Sequence, residues 1–159
     1  SLGYVGDKEE LREVLSCIDL NTGKILWQNF YSDFMSDIIY DRYSIGSPTI
    51  DPETGLLYVM TTPGLLICLT QEGKEIWKIS LMEKFGKMTF PNGRTGAPVI
   101  YGDTVVIHGI SANWGKQGPP RSRFYAYSKK DGIPNIIVLI ELMLFKITTI
   151  KNAVNKNKK

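Results

Sequence analysis

The stretch that decides the fold is CIDLNTGKILW at residues 17–27, which returns as CLTQEGKEIW at residues 68–77. In both copies an apolar run leads into a polar turn that ends in glycine, and a tryptophan follows four residues later. Gly23 and Gly73 are 50 positions apart, and so are Trp27 and Trp77. Self-similarity at a fixed period indicates a repeat protein.

Other landmarks keep the same period. GSPTI at residues 46–50 returns as GAPVI at residues 96–100, and a third copy of the first motif begins with FYAYSKKDG at residues 124–132. Turn signals separate short apolar runs, and one period holds four of them. Four short antiparallel strands every 40 to 50 residues predict a β-propeller blade. The alternative, a β-sandwich, would not require the same glycine and tryptophan at a fixed period.

The length limits how much of a propeller this sequence contains. At a period of 50, residues 1–132 hold about 2.6 units, whereas a closed ring needs about four to eight blades. We therefore predict an all-β partial β-propeller of about 2.6 four-stranded blades, a fragment of a larger one. The predicted repeats lie near residues 12–46, 47–96 and 97–132.

The composition changes after Gly132. Residues 1–132 carry a net charge of −1 and residues 133–159 a net charge of +4, so the basic balance lies in the tail. The tail, an apolar run followed by a Lys/Asn-rich end, is predicted to lie outside the propeller, with a helical conformation left open. A sequence read in a shifted frame is one origin for such a tail. The alternative is a membrane-surface helix, although the basic residues follow the apolar run instead of forming an opposite face.

Charge and hydropathy also bear on partners and location. The nearly neutral body argues against nucleic acid as a partner. No apolar run reaches the roughly 18 residues that a transmembrane helix needs. No signal-peptide pattern is visible at the N-terminus.

The motif Asp19-x-x-Thr22-Gly23-x-x-x-Trp27 resembles the PQQ-type repeat of the quinoprotein-dehydrogenase-like propellers, and the resemblance covers about residues 12–132. Two departures stand out, because Thr70 replaces the aspartate in the second copy and Ile136 replaces the tryptophan in the third. The resemblance implies that the repeat glycines and tryptophans dock one blade onto the next. These residues are Gly23, Trp27, Gly73, Trp77 and Gly132.

The family that this resemblance points to has catalytic and non-catalytic members. The former are quinone-dependent dehydrogenases with adjacent cysteines against the cofactor and a calcium ion, and the latter include a docking subunit of the outer-membrane barrel assembly machine. Cys17 and Cys68 occupy equivalent positions of separate repeats. We therefore expect a periplasmic or otherwise extracytoplasmic binding or docking scaffold, with no catalytic or metal-binding residue and no cofactor in this segment. The alternative is a fragment of a pyrroloquinoline-quinone- and calcium-dependent alcohol-type dehydrogenase, with its active-site residues in other blades.

One loop is longer than the repeat requires. The interval from Met60 to Cys68 spans 8 positions, and the matching interval from Ile107 to Ala126 spans 19. Insertions in propellers fall on a rim, where ligands and partners bind. We predict a recognition patch there for a protein partner or a small molecule. The alternative is a packed loop in which Trp114 forms a small core of its own. The patch residues are Asn92, Arg94, Asn113 and Trp114. His108, the one histidine, is expected to be a structural or surface residue.

Overall fold

The chain forms three antiparallel sheets. The computed structural model describes residues 1–6, 10, 12–32, 46–62, 64–85, 88–89, 96–111 and 121–138. The elements are β1 Leu2–Val5, β2 Arg12–Ile18, β3 Ile25–Ser32, β4 Thr49–Ile50, β5 Leu57–Met60, β6 Leu65–Leu69, β7 Glu75–Ser80, α1 Leu81–Phe85, β8 Met88–Thr89, β9 Val99–Tyr101, β10 Thr104–Ser111, β11 Arg121–Ser128 and β12 Pro134–Val138. The predicted all-β architecture is confirmed. Over these ranges no helix has the length and apolar character needed to cross a membrane.

Each sheet corresponds to one blade. The first blade has the order β1-β2-β3, the second β4-β5-β6-β7, and the third β12-β11-β10-β8 with β9 also paired to β10. The second blade has the four strands that the repeat predicts. In the third, β9 pairs with residues 104–106 of β10 and β8 with residues 110–111. Because β11 occupies the other edge along the whole length of β10, β8 and β9 share one edge.

The third blade extends further along the chain than the sequence predicts. Strand β12 pairs with β11, although the tail from residue 133 was expected to lie outside the propeller, with a helix left open. The sheet continues because the edge of β11 offers unpaired backbone groups and the β-branched run 136–138 suits a strand. Ile136 lies opposite Ala126, as Trp77 lies opposite Cys68 one blade earlier. Residues 139–159 lie outside the described residues.

The second blade is buried on both faces. Alternate side chains of its central strands point to opposite sides, as the pleat requires. One face packs against the third blade in a cluster of Tyr58, Met60, Leu66, Cys68, Ile79, Leu81, Val105, Ile107, Tyr125 and Tyr127. The other face packs against the first blade through Leu15, Val59, Ile67 and Leu69. Burial on both faces explains why β5 and β6 are nearly continuous apolar runs and do not alternate with polar residues.

The outer faces of the first and third blades are more exposed. Leu26 and Phe30 of the first blade are 63% and 51% exposed, and Val99 and Tyr101 of the third are 60% and 81% exposed. Within the described residues, therefore, the apolar core consists of the two interfaces on either side of the second blade.

Replacing Ile67 with Ala tests this arrangement. The side chain of Ile67 is fully buried between the first and second blades, so its truncation should lower the free energy of unfolding by about 2–5 kcal/mol. Leu26→Ala, at an exposed position, should change it by no more than about 0.5 kcal/mol. Urea denaturation measures both values. Equal losses in the two variants would contradict the packing of the first blade on the second.

Candidate functional site at the seams between blades

A tryptophan joins each blade to the next. We call the interface of the first and second blades the first seam, and that of the second and third blades the second seam. At the first seam the indole of Trp27 lies against Gly73, and its Nε1 donates a hydrogen bond of 2.8 Å to the carbonyl of Gln71. At the second seam Trp77 lies against Gly132 and donates a bond of 2.9 Å to the carbonyl of Lys129. Each ring is packed and its one donor is satisfied.

The two glycines make this docking possible. A Cβ atom at Gly73 would lie 2.7 Å from the Trp27 ring, and one at Gly132 would lie 2.9 Å from the Trp77 ring. Both residues also have a positive φ, which glycine adopts without strain. Gly23 has nearly the same φ as Gly132, 69° against 68°, but nothing lies within 4 Å of its Cβ position. The structure therefore places Trp27 with Gly73 and Trp77 with Gly132, and brings no described tryptophan to Gly23.

A buried carboxylate crosses the first seam. Glu13 on β2 is fully buried, and its two oxygens accept hydrogen bonds of 2.9 and 3.1 Å from the backbone N–H of Thr62. The hydroxyl of Thr62 donates a third bond of 2.6 Å to the same carboxylate. Three such bonds compensate for the loss of hydration and connect the first blade to the turn after β5.

A buried ion pair crosses the second seam. Lys129 Nζ lies 2.8 Å from Asp51 Oδ2, and the two side chains are 9% and 1% exposed. The carboxylate of Glu53, which is 80% exposed, lies 3.6 Å from the same ammonium. Thr54 donates a further hydrogen bond of 2.8 Å to Asp51 Oδ2. The pair therefore joins the turn before β5 to the turn after β11.

The pair shifts the pKa of both partners in the stabilising direction. Hydrogen bonds from Lys129 and Thr54 hold the pKa of Asp51 below its ordinary value of 3.8. The hydrogen bond to Asp51 holds the pKa of Lys129 above its ordinary value of 10.5. Both groups are charged at neutral pH, and each favours the charged form of the other.

A cleft of about 630 Å³ opens beside this ion pair. Its lining combines exposed charges of both signs with hydroxyl groups and the apolar side chain of Leu56. The lining residues are Glu53, Thr54, Leu56, Tyr58, Asp103, Ser128, Lys129 and Lys130. Such a surface can hydrogen-bond a polar ligand or a peptide segment.

The predicted recognition patch stays a prediction. Asn92, Arg94, Asn113 and Trp114 all lie outside the described residues. In the described part of this blade, Thr104 pairs with Ser128 beside the cleft, and Ser111 pairs with Arg121 at the far end of the same two strands. In the sequence, the insertion of residues 112–120 falls between β10 and β11. The cleft lies at the end of these two strands that is remote from Ser111 and Arg121.

The cysteines and the histidine occupy packed positions. Cys17 is half-buried opposite Trp27, and Cys68 is buried opposite Trp77. Burial raises the pKa of the Cys68 thiol to about 11. The two thiols are free and stand in different blades, so they do not supply the adjacent pair that a quinone site of the resembled dehydrogenases would use. The ring of His108 packs against that of Phe124 with centroids 5.0 Å apart.

Reasoning from the sequence missed the polar residues of the seams. One signal was available, because Asp51-x-x-Thr54-Gly55 repeats the letters of Asp19-x-x-Thr22-Gly23, and both aspartates cap their turns through the following backbone N–H groups. Glu13 and Lys129 carry no comparable signal, since each bonds to a residue of another blade.

The comparisons with known proteins agree with this architecture. A family model described as outer membrane protein assembly factor BamB matches residues 11–135. The crystal structure of quinohemoprotein alcohol dehydrogenase from Comamonas testosteroni is similar, with 25% identity and a TM-score of 0.55 over 86% of this chain and 19% of that one. A europium-containing methanol dehydrogenase has 19% identity and a TM-score of 0.57 over 87% of this chain and 25% of that one. No curated protein matches the chain in sequence.

Each sheet docks onto the next through the same contact between a tryptophan and a glycine turn, and this repetition is typical of a repeat β-propeller. The chain belongs to the family of PQQ-like repeats to which the matched model refers, and the predicted family is confirmed. It spans about a fifth to a quarter of the length of the two dehydrogenases.

Two glycine variants isolate the contribution of indole docking. Gly132→Ala and Gly23→Ala carry the same left-handed backbone penalty, about 1–2 kcal/mol each. Gly132→Ala should cost about 1–3 kcal/mol more, because its methyl group would lie 2.9 Å from both the Trp77 ring and Ile79 Cδ1, which pack on this turn from the second blade. Thermal and urea unfolding give the difference, and equal losses would show that Trp77 does not dock on this turn.

Asp51→Asn tests the ion pair through its pH dependence. Because the folded-state pKa of Asp51 is depressed, its stabilising contribution is present above pH 3.8 and is lost as the pH falls through the folded value. The raised pKa of Lys129 means that its contribution is present below pH 10.5 and is lost as the pH rises through its folded value. Asp51→Asn should therefore lower stability between these limits.

The stability difference between Asp51→Asn and the wild type should shrink as the pH falls below 3.8, which urea unfolding across pH measures. Glu75→Gln is the control, because its ion pair with Lys78 is solvent-exposed and should contribute little. A difference that stays constant into acid would contradict the assignment of this acid-dependent stability to Asp51.

Proposed function

We propose that this chain is a section of a larger PQQ-like repeat propeller that acts as a binding or docking scaffold in an extracytoplasmic compartment. The observation that carries the proposal is that the buried polar side chains bond one blade to the next. Glu13, Asp51, Lys129 and the two seam indoles all hydrogen-bond to a neighbouring blade. These groups stabilise the relative position of the sheets, and the connecting segments are left to provide recognition.

The match to an outer membrane protein assembly factor supports a protein partner and a location outside the cytoplasm. There are two proposed binding surfaces. One is the cleft beside Asp51 and Lys129, and the other is the sequence insertion that carries Trp114, together with Arg94. Sheets held together by repeated contacts suit a docking role.

The second candidate is a section of a quinone-dependent alcohol dehydrogenase. The 25% identity to the quinohemoprotein alcohol dehydrogenase favours it. Under this alternative, PQQ and calcium would be held by residues of other blades. The described residues of this chain would support that site without touching the cofactor.

One experiment separates the two candidates. The protein, in the full form that its gene encodes, is supplied with PQQ and calcium and assayed for dye-linked oxidation of alcohols. The scaffold proposal expects no turnover above the apoprotein, and quinone-dependent oxidation would overturn it.

Partner binding is tested in parallel. The tagged protein is crosslinked in its native host, and the partner is identified and then measured with purified components. Arg94→Ala with Trp114→Ala should weaken that binding about tenfold or more if the insertion end is the docking surface. Lys130→Ala at the cleft end is the matched control, and loss of binding in this variant alone would assign docking to the cleft. Full binding by both variants would remove both surfaces from the proposal.

A further inference from the structure

Two tyrosines and one arginine on one face of β11 carry buried polar atoms that have no hydrogen-bond partner within the described residues. Tyr125 and Tyr127 are each 1% exposed, and their hydroxyl groups have no partner in the part of the chain that the structure describes. The buried Nε of Arg123 is likewise unpaired within those residues. Alternate positions of a strand share a face, so the three groups form a row toward the second blade. We call this set the donor row.

The described surroundings of the donor row include a further positive charge. Helix α1 lies along the row, because the ring of Phe85 packs on that of Tyr125 with centroids 4.6 Å apart and Lys84 Nζ lies 5.9 Å from the centroid of the Tyr127 ring. Of the five buried residues that the second blade contributes to this cluster, Met60, Leu66 and Ile79 are apolar and Cys68 is a weak acceptor. The hydroxyl of Tyr58 already donates to the carbonyl of Lys129.

The chemistry of these groups selects one class of ligand. Guanidinium and ammonium groups only donate hydrogen bonds. Burial raises the pKa of Tyr127 to about 12, so its phenol keeps its proton and can donate at neutral pH. Unpaired buried polar groups cost free energy, and a ligand that accepts from several of them at once recovers it. The strand partner of Arg123 is Gly109, which adds no polar side chain beside it.

We propose that Arg123, Tyr125, Tyr127 and Lys84 form a binding site for an oxyanion group, a carboxylate or a phosphate, at the second seam. Oxyanions accept several hydrogen bonds and carry the charge that Arg123 and Lys84 complement. The site lies between α1 and the face of β11. It does not depend on whether the whole protein is a scaffold or a dehydrogenase.

Calorimetric titration tests the site with two probes, inorganic phosphate and citrate, on the protein in the full form that its gene encodes. Ionic strength is kept constant with chloride. At least one probe should bind the wild type, and its identity tells phosphate from carboxylate recognition. Tyr125→Phe with Tyr127→Phe keeps both rings and removes both donors, so the Kd for that probe should rise about tenfold or more.

Two lysine variants complete the test. Lys84→Ala, at an exposed position, leaves the core intact and should raise the Kd several-fold, whereas Lys74→Ala, an exposed lysine of the turn before β7, should leave it unchanged. Circular dichroism checks that each variant is folded. Absence of binding to the wild type, or equal binding by the double tyrosine variant, would overturn the proposal. A stability change in the tyrosine variant without anion binding by the wild type would assign the hydroxyls to water and overturn it as well.

Discussion

An indole that packs against a glycine turn, and donates its N–H to a carbonyl of the same turn, joins each blade to the next. The contact needs three things together: a turn with positive φ, the absence of a Cβ atom, and a carbonyl within reach of the ring nitrogen. Gly73 and Gly132 meet all three, and the bonds from Trp27 and Trp77 differ in length by only 0.1 Å. The rest of the architecture depends on this contact, because the second blade can bury both faces only if both neighbours are held against it.

Apolar packing alone would leave the angle between blades poorly defined, because the hydrophobic effect has no direction. The buried polar groups add direction at different ends of the second blade. Glu13 binds Thr62 in the turn after β5, and Lys129 binds Asp51 in the turn before it. Each seam therefore combines a broad apolar contact with an indole bond and a charged group whose geometry is fixed.

The features that repeat locally could be predicted from the sequence. The contacts between blades could not. The period of 50 predicted the turns, the tryptophans and the strands, because each motif folds within a few residues. Glu13 bonds to a residue 49 positions away and Lys129 to one 78 positions away, so no local pattern marks them. Strand β12 was missed for a different reason. Its composition departs from the repeat, yet pairing with β11 requires only a free edge and residues that suit a strand.

Strand β11 and the turn after it contribute to the docking contact of the second seam. They also contribute to two candidate ligand-binding surfaces, the cleft and the donor row. The backbone carbonyl of Lys129 accepts the bond from Trp77, and its side chain pairs with Asp51 beside the cleft. Tyr127 of the donor row lies near the end of β11 and precedes Lys129 by two residues. A ligand held by the row would therefore act on a strand whose end is already fixed by an indole and an ion pair. Because this strand is already held in place, less conformational entropy is lost when a ligand binds. The structural contacts of the seam would therefore contribute directly to recognition.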